Sequence, residues 1–212
     1  EKCKACGKCA EVCPYNAITV DVKAKKPAVV NAAACAGCGT CAAECRFDAI
    51  SMNHFTDAQI LGQVNSMLDT EPENKILAFA CNWCSYAGAD YAGVSRLQYP
   101  ANVHLIRVMC SGRVDEKFIW EGFRQGAPVV LVSGCHIGDC HYIDANHWTA
   151  KRVERIRRKM EKIGIRPERL QLEWISAAEG IRFAETMKRM EELRRSVTAE
   201  EIAETQSILS KL

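Results

Sequence analysis

Eight of the chain's thirteen cysteines fall between residues 3 and 45, in two copies of one spacing. "CKACGKCAEVCP" (3–14) and "CAGCGTCAAECR" (35–46) each read C-x2-C-x2-C-x3-C. Three thiolates at that interval wrap one face of an iron–sulfur cubane, because each short loop turns toward a different iron, and the fourth cysteine serves the other cluster. The spacing predicts two crossed ligand sets. Cys3, Cys6, Cys9 and Cys45 would hold one [4Fe–4S] cluster, and Cys35, Cys38, Cys41 and Cys13 the other, with a short helix starting at each fourth cysteine. Zinc needs only four ligands and does not account for a doubled motif of this form. Gly7, Gly37 and Gly39 leave room for backbone amides to approach the sulfurs, which Cβ atoms would hinder.

The other five cysteines stand at or just beyond the ends of apolar runs. "KILAFAC", "VHLIRVMC" and "PVVLVSGC" finish at Cys81, Cys110 and Cys135, while Cys84 and Cys140 follow in "CNWC" and "CHIGDCH". Several chemistries can use such a set. A [2Fe–2S] cluster takes four thiolates, most simply Cys81 with Cys84 and Cys135 with Cys140, leaving Cys110 spare. A C-x-x-C after a strand is also the setting of a thioredoxin-like disulfide. Structural zinc and a Rieske-type site with His136 and His141 are further options. In the first reading the two imidazoles hydrogen-bond to sulfur or backbone rather than to metal.

The elements that must position these thiols are legible from pattern. "AITVDV" and "PAVVN" read as a hairpin and "AISMN" as a closing strand. In residues 55–74, Thr56 and Gln59 have capping-box spacing, and Ile60, Leu61, Val64 and Leu68 share a helical face up to Pro72. Beyond it strands ("KILAFAC", "VHLIRVMC", "PVVLVSGC", "RLQLEWIS") alternate with helical or looped segments ("YAGADYAGVSRLQ", "DEKFIWEGFRQG", "KRVERIRRKMEKIG", "AEGIRFAETMKRMEELRRS"). Such alternation implies a parallel sheet covered on both faces, whose strands present their carboxyl ends on one edge. All five thiols can converge there. The expected fold is an α+β two-cluster ferredoxin domain (1–54), a packed connecting helix (55–74) and an α/β parallel-sheet domain (75–212). Val153, Ile156, Met160 and Ile163 share one face of "KRVERIRRKMEKIG", so the charges of its basic stretch "KRVERIRRK" are expected in solvent. Trp83, Trp120, Trp148 and Trp174 are expected in the core or at its rim.

Composition narrows the function. The 212 residues carry 28 Lys and Arg against 26 acids, a net charge of +2, which gives no footprint for nucleic acid. There is neither an eighteen-residue apolar run nor a signal peptide. A chain opening at "EKCKACGKC" without methionine is expected to be a piece of a longer protein. Clustered cysteines are the distribution of metal ligands in a reducing compartment, hence a cytoplasmic location.

The doubled motif resembles bacterial-type two-cluster ferredoxins, with Arg46 where that family usually repeats the proline seen at Pro14. "CNWCSYAGADYAGVSRLQYP", "IRVMCSGRVD", "GCHIGDCHY" and "RLQLEWISAAEG" resemble the delta iron–sulfur subunit of methyl-viologen-reducing hydrogenase, a [2Fe–2S] protein of methanogens. The ferredoxin segment resembles the carboxyl-terminal part of the A component of heterodisulfide reductase, to which some methanogens fuse the delta-type domain. The resemblance implies an electron conduit of an oxidoreductase complex with no catalytic residue of its own. It would relay electrons between a hydrogenase or deazaflavin-dependent dehydrogenase and the flavin of the A component, in a complex that reduces the mixed disulfide of coenzymes M and B. FAD is expected only upstream, since no G-x-G-x-x-G follows a strand here. The alternative is a thiol–disulfide oxidoreductase at Cys81 and Cys84 fed by the ferredoxin clusters.

Overall fold

Each cysteine run winds into one turn of helix around its third cysteine, α1 (Lys8–Glu11) and α2 (Thr40–Ala43), in a computed structural model that describes residues 2–211. The turns are capped by Gly7 and Gly39 at φ 80° and 79°, a left-handed conformation that side chains resist. The repeat extends to the loops: Asn16 and Asp48 occupy equivalent left-handed positions after the fourth cysteines, and short amide and carboxylate side chains tolerate that region best. Both helices end before Cys13 and Cys45 rather than starting there, so the helical turn precedes the crossing cysteine. Strands β1 (Ile18–Asp21) and β2 (Lys26–Val30) form the expected antiparallel hairpin. The closing strand expected over 49–53 does not form; Ile50, Ser51 and Met52 turn instead along the cysteine-lined cavities.

Helix α3 (Asp57–Leu68) begins at Thr56, whose hydroxyl accepts from the Gln59 amide while the Gln59 side chain accepts from the Thr56 amide. It stops at Leu68, before Pro72, which opens a separate 3-10 turn. Its apolar face, Ile60, Val64 and Leu68, is buried in the core of the sheet.

The sheet contains β3 (Ile76–Cys81), β4 (Val103–Val108), β5 (Val129–Gly134) and β6 (Leu170–Trp174), all parallel, in the order β4-β3-β5-β6. Central β3 and β5 are buried at every position, as a strand covered on both faces must be. Leu77, Phe79, Val130 and Val132 face α3, α5 (Glu116–Arg124), α6 (Ala145–Lys162) and α8 (Ala199–Leu209). Ile76, Ala78, Val129 and Leu131 face α4 (Ser85–Val94) and α7 (Gly180–Arg195). Helix α8 lies beyond the expected elements; Thr198 caps it by accepting from the Glu201 amide, and Leu209 joins the core. The chain order reverses across β3, so its carboxyl end, flanked by β4 and β5, is the topological switch point where open α/β sheets place ligands.

One side chain on the basic helix departs from the expected solvated face. Arg152 is fully buried, donating to the Glu44 carboxylate through Nε and Nη2 (3.0 and 2.6 Å) and to the Gly112 and Val114 carbonyls through Nη1. Burial lowers its pKa and the Glu44 charge works against that. The ion pair joins the ferredoxin segment to the sheet. Removing one partner of a buried pair leaves the other charge unpaired, which costs about 3–5 kcal/mol. Arg152→Ala is therefore expected to lower stability by about that amount in denaturant unfolding, whereas Arg158→Ala, at an exposed pair with Glu154, leaves it unchanged.

Candidate metal centres

The hairpin and the two helical turns enclose two cavities, and the thiols sort between them by the crossing. Cys3, Cys6, Cys9 and Cys45 line one, with Val20, Ala28, Phe47 and Ile50 as apolar wall. Cys13, Cys35, Cys38 and Cys41 line the other, with Tyr15, Ile18 and Met52. Backbone amides point at sulfur: Ala28 and Ala5 donate to Cys3 Sγ (3.4 and 3.5 Å) and Ala49 to Cys45 Sγ (3.3 Å). Those amides hold the Cys3 thiol below its ordinary pKa. Burial raises Cys9 and Cys38, and burial together with the neighbouring thiols pushes Cys41 up to about 12. Such thiols cannot ionise together unless cationic iron offsets their mutual repulsion, so the donor sets fit cubane clusters. Arg46 is exposed and faces neither cavity.

The five remaining thiols meet at the carboxyl edge of the sheet. Cys81 ends β3 and Cys135 follows β5, with their Sγ atoms 4.0 Å apart. Cys84, at the start of α4, completes a buried triad whose sulfurs all lie within 4.8 Å of one another. Cys110, two residues past β4, neighbours Cys81 and Cys140, and Cys140 neighbours Cys135. Hydrogen bonds from the surrounding thiols lower the pKa of Cys81, and the same contacts raise Cys84 and Cys110. A pair of redox thiols would need only two of these groups. Four buried thiols and the half-buried Cys140, gathered at one edge, suit a bound iron centre.

The two histidines take other partners than expected. His136 Nε2 pairs with Glu179 Oε2 at 2.6 Å, and His141 stacks on Trp83 with ring centroids 4.0 Å apart. Trp83 is 43% exposed and its indole N–H donates to the Tyr142 hydroxyl at 2.9 Å. Of the remaining tryptophans, Trp120 packs against the core and Trp148 is half-buried between Lys8 and Lys151. Asn146, which no motif singles out, is fully buried and donates to the Cys135 and His136 carbonyls, fixing the loop that carries Cys135. Its place in the first turn of α6, just after that loop, is the only sequence signal for it.

The two thiol systems adjoin. Cys110, Tyr142 and Ala145 form one buried group, and Tyr15, Cys38 and Cys140 pack against it. Cys38 belongs to the second ferredoxin cavity, Cys110 and Cys140 to the sheet edge.

Comparison with known proteins agrees with this architecture. The chain belongs to the family of the methyl-viologen-reducing hydrogenase delta subunit, whose model matches residues 76–196. A 4Fe-4S dicluster domain matches residues 2–49, so the first part of the chain is a domain for two [4Fe–4S] clusters. The A component of the ferredoxin:CoB-CoM heterodisulfide reductase of Methanosarcina mazei is 44% identical over 91% of this chain and 25% of its own length. The iron-sulfur D component of the F420-non-reducing hydrogenase of Archaeoglobus profundus is 48% identical over 57% of this chain and 88% of its own length. The corresponding vhc iron-sulfur component from Methanococcus voltae is 50% identical over 52% of this chain and 77% of its own length. The chain thus spans about a quarter of the reductase relatives it matches. It is an iron–sulfur electron-transfer chain, and among the described residues no helix is long and apolar enough to cross a membrane.

Proposed function

We propose that this chain is the relay segment of a cytoplasmic heterodisulfide reductase complex, passing electrons between an external donor and the flavin of the A component. The donor is a hydrogenase or a deazaflavin-dependent dehydrogenase. Residues 1–54 form the ferredoxin unit, 55–74 the connecting helix and 75–212 the [2Fe–2S] unit. Cys3, Cys6, Cys9 and Cys45 hold one cubane, and Cys35, Cys38, Cys41 and Cys13 the other. Cys81, Cys84, Cys135 and Cys140 hold a [2Fe–2S] cluster, with Cys110 the thiol on the ferredoxin-facing side. When bound, these centres supply one-electron redox chemistry. The protein's own part is to hold the thiols, exclude water and fix the spacing between sites.

The observation that carries this reading is the buried group of Cys110, Tyr142 and Ala145 at the sheet edge, against which Cys38 of the ferredoxin part and Cys140 both pack. Three separate sites would be of no use to one another; three sites in contact form a conduit. The first test is stoichiometric. Two cubanes and one [2Fe–2S] cluster require about ten irons per chain after anaerobic preparation. A reproducible eight, with two titratable thiols at Cys81 and Cys84, would instead indicate a thiol–disulfide enzyme fed by the ferredoxin domain.

A further inference from the structure

The residues between the two thiol systems are closely set. After Cys110 the chain makes one 3-10 turn, Ser111–Arg113. The Gly112 amide donates back to Cys110 Sγ at 3.4 Å. The other side of Gly112 meets the ferredoxin domain. A Cβ there would lie 2.2 Å from Thr40 Oγ1 and 3.0 Å from Ala145 Cβ. No left-handed φ accounts for this glycine, unlike Gly7 and Gly39. Its backbone conformation is open to any side chain, so what excludes a Cβ is the approach of Thr40. Thr40 is fully buried, and its hydroxyl lies 3.5 Å from Cys38 Sγ. The result is a series of close approaches: the Gly112 amide to Cys110 Sγ, the Gly112 Cα to the Thr40 hydroxyl, and that hydroxyl to Cys38 Sγ. Tyr142 and the half-buried Tyr15 pack beside it.

We propose that the contact between Gly112 and Thr40 is the electron crossing between the sheet-edge site and the Cys35/Cys38/Cys41/Cys13 site, and that Gly112 is the residue that sets its width. The step is a single-electron exchange: one reduced centre loses the electron that one oxidised centre gains, with no bond made and no proton moved. Electronic coupling falls steeply with distance, so a side chain wedged between these two backbones slows the exchange without touching any ligand. Arg152 holds the same joint closed, donating to the Gly112 carbonyl and to Glu44 in the residue run that follows Thr40. This crossing presupposes the relay proposed for the whole chain.

The test uses the full chain, loaded and purified anaerobically, with Gly112→Ala, Thr40→Ala and the double substitution. Two readouts are taken after dithionite reduction. One is the magnetic interaction between the paramagnetic centres, seen as broadening or splitting of their EPR signals. The other is the rate at which oxidation of one centre re-equilibrates with the other. Gly112→Ala is expected to keep its full iron content and the separate signal of each centre, to show weaker mutual broadening, and to re-equilibrate severalfold more slowly. Thr40→Ala on its own leaves the broadening in place. Combined with Gly112→Ala it restores the broadening, because the new methyl occupies the space of the threonine side chain. If Gly112→Ala does not fold, Thr40→Ile presses on the same contact from the ferredoxin side and should show the same weakening. Full iron content with undiminished broadening and rate in Gly112→Ala, or no recovery in the double variant, overturns the proposal. A wild-type chain with no sheet-edge signal at all refutes the relay reading itself and is told apart by that absence.

Discussion

Replacing Cys45 by alanine is expected to damage the cluster proposed for Cys3, Cys6 and Cys9 and to spare the one nearest to Cys45 in sequence. The reason lies in where the short helical turns end. Helix α2 closes at Ala43, and the chain then carries Cys45 across to the cavity that also contains Cys3, Cys6 and Cys9. The Ala49 amide donates to Cys45 Sγ there, which fixes the sulfur in that cavity. Cys13 makes the reciprocal crossing into the cavity lined by Cys35, Cys38 and Cys41. Each single substitution is expected to remove about four irons per chain, or to leave a defective cluster with an altered EPR signal. Pairing substitutions tells which cluster is lost. Cys45→Ala with Cys6→Ala should lose no more iron than Cys45→Ala alone, because both thiols serve one site. Cys45→Ala with Cys38→Ala should lose both cubanes. Equal loss in the opposite pairing would mean that each motif ligates its own cluster and that the crossing read from these cavities is wrong.

How far this site was legible in the sequence depends on the kind of signal. Cysteine spacing is local chemistry, so the doubled motif pointed to two iron–sulfur sites without any structure. Apolar runs ending in cysteine pointed to a thiol edge, because parallel strands must finish on one side. What stayed hidden depends on approach between segments distant in sequence. Arg152 sits in a run of charges that reads as a solvated face, and only the arrival of Glu44 from the ferredoxin domain makes it a buried tie. The closing strand over 49–53 failed for a related reason: these residues run along the walls of the two cysteine-lined cavities, Ile50 and Ser51 lining both, and have no ladder partner. His136 and His141 abut thiols in sequence, yet Glu179 at the start of α7 and the Trp83 indole capture the rings. Helix α8 carried a readable signal in Thr198 and Glu201, the same serine/threonine–acid spacing that marks other helix starts. Gly112 is the clearest case. In the sequence it is an ordinary glycine after a cysteine, and its meaning appears only when Thr40 stands against it.

The second large effect concerns which end of the proposed relay faces the proposed donor. The cavity of Cys35, Cys38, Cys41 and Cys13 adjoins the sheet-edge thiols through Cys38, so it is the middle site. The cavity of Cys3, Cys6, Cys9 and Cys45 is then one end and the sheet edge the other. The sheet edge has the features of a port. Cys84 and Cys135 border a surface hollow shared with Trp83, His136, Asp139 and His141, so only the loops separate the thiols from solvent. Ile143, on the loop just after Cys140, is 58% exposed and held at φ 67°. That conformation is costly for a β-branched side chain and is kept only where the surrounding structure imposes it. A partner that covers this face would bring its own redox centre within transfer distance of the sheet-edge site, while on the proposed reading a flavin-bearing body exchanges with the ferredoxin end. In the full-length protein, Cys135→Ala is therefore expected to abolish reduction by the donor protein. The same variant should still accept electrons from dithionite at both cubanes, and those cubanes should still exchange with the flavin, because neither process needs the sheet edge. Rapid-mixing absorbance at the flavin, with EPR and iron analysis to show that only the sheet-edge cluster is missing, separates the two routes. If the donor reduces the flavin at an undiminished rate in a protein shown to lack that cluster, electrons enter elsewhere and the sheet edge is not the port.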